Sequence, residues 1–358
     1  MQPDYSRQIL LKELGEVGQQ RLARSRVLVV GTGGLGSPVL QYLAAAGVGC
    51  HENGCLGLVD ADVLEASNLH RQPIFELNDV GISKVSLARV AIHKINPQVQ
   101  VEIHALRFNA NNALALVSQY DIVVDCSDNF RTKYLINDAA VLARKPAVFA
   151  SVYQYEGQLQ VYKPQQDHAC LRCLWPNATL DGIVGNCAQT GVLGPVPGTF
   201  GTLQALLTLK IILDISGQLA GELLLMDFSN FSMTKLATRR HTECHAPACE
   251  RIKGLEPDLS LEPGEPTIEV ALASFKAALA QGFELIDIRD AKEVAAHSTN
   301  LRHIPMPALL DHPEQLSVTG HYLLVCATGK RSLATARTLR AGGLVVSSLA
   351  GGLAALAP

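Results

Sequence analysis

Charge is scarce in this chain: 18% of its 358 residues are Asp, Glu, Lys or Arg, and they sum to a formal charge of -3 at pH 7. That leaves no basic field to attract a nucleic acid or an anionic membrane surface, and neither is expected as a partner. No basic and apolar signal segment opens the sequence, which favours a cytoplasmic location. An unbroken membrane-length apolar run is lacking too: the long uncharged stretch Cys187 to Leu209 is interrupted by Gly, Pro, Thr and Gln and reads as buried packing. Internal repeats and low-complexity segments are likewise missing.

What is present is an α/β pattern long enough for one large domain and a smaller one. Val27 to Val30, Leu56 to Asp60 and Asp121 to Asp125 read as strands, with helices predicted over Pro38 to Ala46 and Ser83 to Ile95. In the second helix Val85, Ala88 and Ile92 share a face, and Asn96-Pro97 stops it. Such alternation predicts a mostly parallel sheet covered by helices. Ala147 to Val152 and Gln158 to Tyr162 extend it with antiparallel members, and a helix over Thr199 to Ile215 precedes strands near Leu223 to Phe228 and Met233 to Leu236. Arg251 to Pro266 is rich in proline, glycine and acidic residues and reads as an exposed linker. Beyond it, strands at Phe283 to Arg289 and Tyr322 to Cys326 and a helix at Ser332 to Ala341 outline a second, smaller α/β unit.

The run from Arg26 to Gly36, Arg-Val-Leu-Val-Val-Gly-Thr-Gly-Gly-Leu-Gly, places Gly31, Gly33, Gly34 and Gly36 in a turn between a strand and a helix, where a helix N-terminus holds phosphate. Alone, this fingerprint most often signals NAD or FAD. Asp60, ending the second strand, suits a ribose in either NAD or ATP. The polar and cationic series Asp62, Asn68, Arg71, Gln72 and Lys84 is what discriminates, because two cations exceed what a ribose needs and suit a triphosphate whose leaving pyrophosphate gains charge. Asp128, just beyond another strand, suits either Mg²⁺ bound against phosphates or a helix N-cap.

Nine cysteines, an odd number, include two spaced pairs, Cys170/Cys173 and Cys244/Cys249, which points to metal or thiol chemistry before disulfides. Cys170-Leu-Arg-Cys173 has the spacing of half a tetrahedral Zn²⁺ site, and Cys244 with Cys249 supplies the other half. His245 is an alternative ligand, since the second pair is more widely spaced. Cys50, Cys55 and Cys126 read as apolar fillers. At the end of the last predicted strand, Cys326-Ala-Thr-Gly-Lys-Arg-Ser332 leads into a helix, so backbone N–H groups and a helix N-terminus favour the Cys326 thiolate, with positive charge added by Lys330 and Arg331.

The glycine turn, Val59-Asp60-Ala61-Asp62, Ser67-Asn68-Leu69-His70-Arg71-Gln72 and Asp125-Cys126-Ser127-Asp128-Asn129 together resemble the bacterial ThiF and MoeB adenylyltransferases, relatives of ubiquitin-activating enzymes. The resemblance implies a Rossmann-like mixed-sheet adenylation domain in which Asp60 binds ribose, Asn68, Arg71 and Lys84 handle phosphates and Asp128 coordinates Mg²⁺. It also implies that Arg7, in Tyr5-Ser6-Arg7-Gln8, reaches the triphosphate of a neighbouring subunit in a homodimer. Cys187 matches a family cysteine near the adenylate, one that accepts the activated carboxylate or resolves a persulfide. The Cys326 loop, with Leu285-Ile286-Asp287-Ile288-Arg289-Asp290 upstream, resembles a rhodanese domain in which Cys326 and Arg331 carry the chemistry. The expected layout is an adenylation domain at 1–250, a linker at 251–266 and a rhodanese-like domain at 267–358.

The two resemblances imply ATP-dependent adenylation of the C-terminal glycine of a small ubiquitin-like sulfur carrier ending in Gly-Gly, then sulfur transfer from a Cys326 persulfide. Thiosulfate or a sulfur-donor protein would load the cysteine, and the sequence leaves open whether the carrier serves molybdenum-cofactor, thiamine, cysteine or another synthesis. Two other readings stand beside it: adenylation with the second domain serving only for docking, and an NAD-dependent redox enzyme.

Overall fold

The computed structural model describes residues 3–164, 168–175, 191–241, 244–245, 248–249, 252, 254–255, 268–270, 275–280, 282–317, 320–341 and 344–355. By its internal contacts the chain divides into two compact units, one formed by Met1–Ala178 with Asn186–Leu259, the other by Thr179–Gly185 with Ser260–Pro358.

Among the described residues, the first unit builds an eight-stranded sheet from β1 (Arg26–Val30), β2 (Cys55–Val59), β3 (Val101–His104), β4 (Ile122–Asp125), β5 (Ala147–Tyr153), β6 (Glu156–Tyr162), β7 (Glu222–Asp227) and β8 (Ser232–Ala237). Its spatial order is β3-β2-β1-β4-β5-β6-β7-β8. The first five strands run parallel, and β6, β7 and β8 are antiparallel to their neighbours. The parallel half reads as continuous apolar sequence because both of its faces are covered. Val27 and Val29 enter one hydrophobic cluster, while Leu28 and Val30 enter the other. Strand β2 divides in the same way, Leu56 and Leu58 to one side and Cys55 and Val59 to the opposite side.

The Lys84–Ile95 helix turns Val85, Ala88 and Ile92 into the core, as the spacing predicts. The helix expected from Thr199 begins earlier, at Pro195, and ends at Leu213. Proline suits a first helical turn, where its missing N–H would have had no partner anyway, so the Gly-Pro-Val-Pro-Gly run at 194–198 conceals a helix start. This helix is long and apolar enough to cross a membrane by composition alone, yet it packs on β5 and β6 with Phe200, Gln204, Ala205 and Thr208 buried.

Most of 251–266 lies outside the described residues. Its first part departs from the exposed linker expected: Ile252 is buried in the core cluster that holds Cys170 and Cys244, and Leu255 packs against the same cluster. An isoleucine and a leucine among polar neighbours are enough to tie the start of that segment down.

Among the described residues, the second unit holds a parallel five-stranded sheet in the order β11-β15-β14-β12-β13, formed by β11 (Glu269–Val270), β12 (Glu284–Asp287), β13 (Arg302–His303), β14 (Tyr322–Val325) and β15 (Val346–Leu349). The two-stranded ladder of β9 (Cys244–His245) and β10 (Ala248–Cys249) belongs to the first unit and sets Cys249 opposite Cys244. Strand β14 again feeds two cores, Tyr322 and Leu324 one, Leu323 and Val325 the other. Cys326 follows directly at its carboxyl end.

Candidate active site

In the first unit, strand order reverses between β1 and β4, so the loops that leave their carboxyl ends diverge and open a crevice. Gly31 leaves β1 with a φ of +96°, and a Cβ there would stand 2.6 Å from the Cys126 carbonyl oxygen in the loop after β4. Gly36 is tighter still, since its Cβ would collide with the Gly31 carbonyl. The glycines therefore let the two loops touch. Asp60 pins the turn from the side: its Oδ2 accepts from Thr32 N and Thr32 Oγ1, both at 2.8 Å, and its Oδ1 from Asp62 N at 2.9 Å.

Beneath the crevice lies a charge that sequence analysis did not single out. Lys133, in the Phe130–Ala143 helix, has a side chain 6% exposed, and that of Asp125 is 0% exposed. Lys133 Nζ donates to Asp125 Oδ2 at 2.8 Å, to the Ser127 carbonyl at 2.9 Å and to the Ala150 carbonyl at 2.5 Å. Asp125 Oδ1 accepts from Ser127 N and Oγ, while Gln204 Nε2 donates to the Asp125 carbonyl at 2.7 Å. The loop from Asp125 to Asp128 is thus wound around one ammonium group. Its cap is Asn129, whose side chain accepts from Thr132 N at 2.8 Å. Asp128 is not needed for capping and stands exposed.

Across the crevice, Lys84 is buried and donates to the exposed Asp62 carboxylate at 2.9 Å. Arg71 is half-buried, with Nη1 on the Ser67 carbonyl at 2.9 Å. Asn68 is buried and accepts from Glu65 N. Gln72, from the same polar series, is 2% exposed, and its Oε1 has no hydrogen-bond partner. Its Nε2 lies 3.6 Å from where a Cβ on Gly33 would stand, so an unsatisfied amide borders the glycine turn.

Arg7 is exposed between two fastenings. Tyr5 OH accepts from Asn96 Nδ2 at 2.8 Å and lies 3.6 Å from Cys50 Sγ; burial and that thiol push the phenol up to about 12. Gln8 Nε2 donates to the Ala46 carbonyl at 2.9 Å. The arm is held, and the guanidinium is left to reach outward.

Three of the four proposed metal ligands come together: the sulfurs of Cys170, Cys173 and Cys244 all lie within 4.8 Å of one another. Cys170 and Cys173 Sγ are 3.7 Å apart, close to the roughly 3.8 Å that two thiolates span on one tetrahedral Zn²⁺ with Zn–S of about 2.3 Å. The turn is fixed to the Phe130–Ala143 helix by Asn137 Oδ1, which accepts from Leu171 N, and by a bidentate Arg172–Asp138 pair. Hydrogen bonds from Cys170 and Cys244 hold the Cys173 thiol below its ordinary range, and the same three-way contact pushes the Cys170 and Cys244 thiols up. The backbone of Cys249 faces Cys244, and its side chain lies outside the described residues, as do the side chain of His245 and the whole of Cys187.

In the second unit Cys326 is 1% exposed, with Ser332 N donating to its sulfur at 3.4 Å. Arg331 is engaged elsewhere: its two terminal nitrogens clasp Glu293 at 2.8 and 2.5 Å. It ties the cysteine loop to the Ala291–Ala296 helix, and its charge acts on the nearby Cys326 sulfur as well as on Glu293. Lys330 is exposed. Asp287 and Arg289 form a second buried pair; burial would raise the Asp287 carboxyl, but bonds from Arg289 and Thr299 bring it below the usual range.

The ThiF family model matches residues 5–246, and the model for the rhodanese-like domain matches residues 271–357. A sulfur carrier protein adenylyltransferase of Thermus thermophilus is 47% identical over 249 residues, covering 68% of this chain and 89% of the relative. The adenylyltransferase and sulfurtransferase MOCS3 of Aedes aegypti is 37% identical over 359 residues, covering 94% of this chain and 80% of the relative. Among solved structures, Escherichia coli MccB with MccA-N7isoASN superposes with a TM-score of 0.57 at 24% identity, covering 64% of this chain and 69% of that one, a likeness of fold.

Replacing Lys133 by methionine strands the Asp125 carboxylate in the core, and breaking a buried pair in this way costs about 3–5 kcal/mol. Urea denaturation of Lys133→Met should show a loss of that order in the first unit; a loss below about 1 kcal/mol, the scale of an exposed pair, would contradict the bracing role.

Proposed function

This chain belongs to the ThiF family and carries a rhodanese-like domain behind its adenylation domain, and from that premise we propose the following division of labour. The chain is an ATP-dependent adenylyltransferase for the C-terminus of a small sulfur carrier, coupled to rhodanese-type sulfur transfer. The observation that carries this reading is the presence, in one chain, of the crevice at the β1/β4 reversal and a buried thiol seated among donors at the end of β14. A relative whose name pairs the two activities aligns with 94% of the chain.

In the first half reaction a carboxylate oxygen of the carrier's terminal glycine attacks the α-phosphorus of ATP, forming an acyl-adenylate and releasing pyrophosphate. A carboxylate is already ionised near neutral pH and needs no general base, so alignment and charge stabilisation carry the step. Lys84 exchanges Asp62 for phosphate, Arg71 joins it, Asn68 contributes its amide, and Asp60 takes the ribose beside the glycine turn. Asp128 would hold Mg²⁺, which would offset charge on the phosphates. Arg7 serves the site of a second subunit in a homodimer.

In the second half reaction the terminal sulfur of a Cys326 persulfide attacks the acyl carbon and AMP leaves, giving an acyl disulfide. A thiolate then attacks the Cys326 sulfur of that disulfide, and the carrier departs as a thiocarboxylate. Cys187 or an external reductant supplies the thiolate. Arg331 positions the loop through Glu293. Cys170, Cys173, Cys244 and Cys249 would hold one Zn²⁺, whose role would be structural.

Two measurements bear on these assignments. Pyrophosphate exchange into ATP, dependent on the carrier, should fall by about 100-fold or more in Arg71→Ala and in Asp128→Ala, the scale for removing a charge-stabilising group, while thiosulfate still loads Cys326. Parental exchange rates in both variants would overturn the site. Metal analysis of the purified chain should find one equivalent of zinc, lost in Cys173→Ser; a parental zinc content in that variant would remove Cys173 from the ligand set.

A further inference from the structure

Two serine hydroxyls behind Cys326 have been given no part in the chemistry described so far. Ser332, in the first turn of the Lys330–Ala341 helix, and Ser348, on β15, are both 0% exposed. Besides the amide contact, Ser332 Oγ lies 3.4 Å from Cys326 Sγ and 3.0 Å from the Gly329 carbonyl oxygen. Ser348 Oγ lies 2.9 Å from Ser332 Oγ and 3.4 Å from the same Gly329 carbonyl. The arrangement joins one sulfur, one carbonyl and two hydroxyls in a site closed to water.

Counting protons gives this cluster two complete arrangements. Each hydroxyl has one proton to donate and lone pairs to accept. With Cys326 as a thiol, Ser332 donates to Gly329, and Ser332 Oγ accepts from both Ser348 and the S–H. With Cys326 as a thiolate, Ser332 turns its proton to the sulfur, and Ser348 moves its own onto the Gly329 carbonyl. Every buried group is satisfied in both states, so the charge on sulfur is accommodated without leaving an unpaired polar atom. Since Arg331 is held by Glu293, the donors that touch the sulfur come from Ser332.

We propose that Ser332 is a catalytic residue of sulfur transfer, donating its hydroxyl proton in a hydrogen bond to the Cys326 thiolate, and that Ser348 is a positioning residue that releases it to do so. The proposal rests on Cys326 being the sulfur carrier of the second unit. In loading, the thiolate attacks the outer sulfur of thiosulfate, the S–S bond of thiosulfate breaks, and sulfite leaves. In unloading to cyanide, cyanide carbon bonds to the outer persulfide sulfur, the S–S bond breaks, and its electron pair returns to Cys326 Sγ as thiocyanate departs. Both steps place negative charge on Sγ, at reactant in one and at product in the other, and Ser332 serves both.

The test uses the full chain, with thiosulfate as donor and cyanide as acceptor. Steady-state transfer and the rate of Cys326 alkylation by iodoacetamide are followed from neutral to alkaline pH, with persulfide loading read by mass spectrometry. Removing one hydrogen bond to a charged group should cost Ser332→Ala about tenfold in kcat and move its alkylation profile about one pH unit upward, with KM for thiosulfate little changed. Ser332→Thr should recover most of the loss. Ser348→Ala, which leaves the helix intact, should shift the alkylation profile in the same direction by less. Parental kcat and alkylation profiles in both alanine variants, with Cys326 still loaded, would overturn the proposal. Transfer that survives in Cys326→Ala would instead overturn the assignment of Cys326, a result separable from the first.

Discussion

The ammonium of Lys133 sits where the adenylation unit has most to hold together. It is bound by a carboxylate at the end of β4, a carbonyl of the loop that follows and a carbonyl of β5. A charge this deeply buried is tolerated only when its partners are complete, and here the partners are the loop itself. Shifting Asp125, Ser127 or Ala150 would cost the ammonium a ligand, so the loop has one low-energy course. That course carries Asp128 out into the crevice and brings the Cys126 carbonyl against Gly31, which in turn fixes the glycine turn. Gln204, reaching from the long apolar helix to the Asp125 carbonyl, ties the same point to the opposite core. The crevice is therefore rigid at its floor, while at its rim Lys84 rests on the exposed Asp62 carboxylate and Arg71 on the Ser67 carbonyl.

The second unit solves a related problem by other means. Its reactive group also follows the carboxyl end of a central parallel strand, and its loop is also closed by a helix N-terminus. No buried ammonium stands under this loop among the described residues. Leu353 N and Ala354 N donate to the carbonyls of Cys326 and Ala327, and Arg331 anchors the far side through Glu293. Neutral hydroxyls and amides are left to face the sulfur. Such donors suit a group whose charge comes and goes during turnover, whereas the fixed charge of Lys133 suits a loop that only has to stay in place.

Much of the fold was legible because parallel strands buried on both faces leave unbroken apolar runs, as in Val27–Val30 and Tyr322–Val325, and because the glycine turn has few structural alternatives. The spacing of Val85, Ala88 and Ile92 marked a helix face correctly for the same reason: burial repeats with the helical period. What the sequence concealed depends on distance or on competing signals. Prolines at 195 and 197 hid the start of a helix that they help to begin. Lys133 lies among Arg131, Thr132 and Tyr134 and looks like a solvated helix face; only the sheet brings Asp125 and Ala150 to it. Arg331 follows Cys326 closely in sequence, but its hydrogen bonds go to Glu293, far upstream. Ser348 reaches the thiol through Ser332 only because β15 pairs with β14. Ile252 shows the limit of composition, since one apolar side chain outweighs a polar setting once a core lies within reach.

The central claim is that one chain both activates a carrier's terminal carboxylate and delivers sulfur to it. It is tested most directly by incubating the chain with ATP, Mg²⁺, thiosulfate, a thiol reductant and a ubiquitin-like carrier ending in Gly-Gly, and reading the carrier by intact-mass spectrometry. The account predicts an acyl-adenylated carrier when thiosulfate is omitted, and a carrier with one carboxylate oxygen replaced by sulfur when it is present, the second product being absent with Cys326→Ala. A carrier that remains unmodified with ATP, or one that gains sulfur equally well without Cys326, would contradict it.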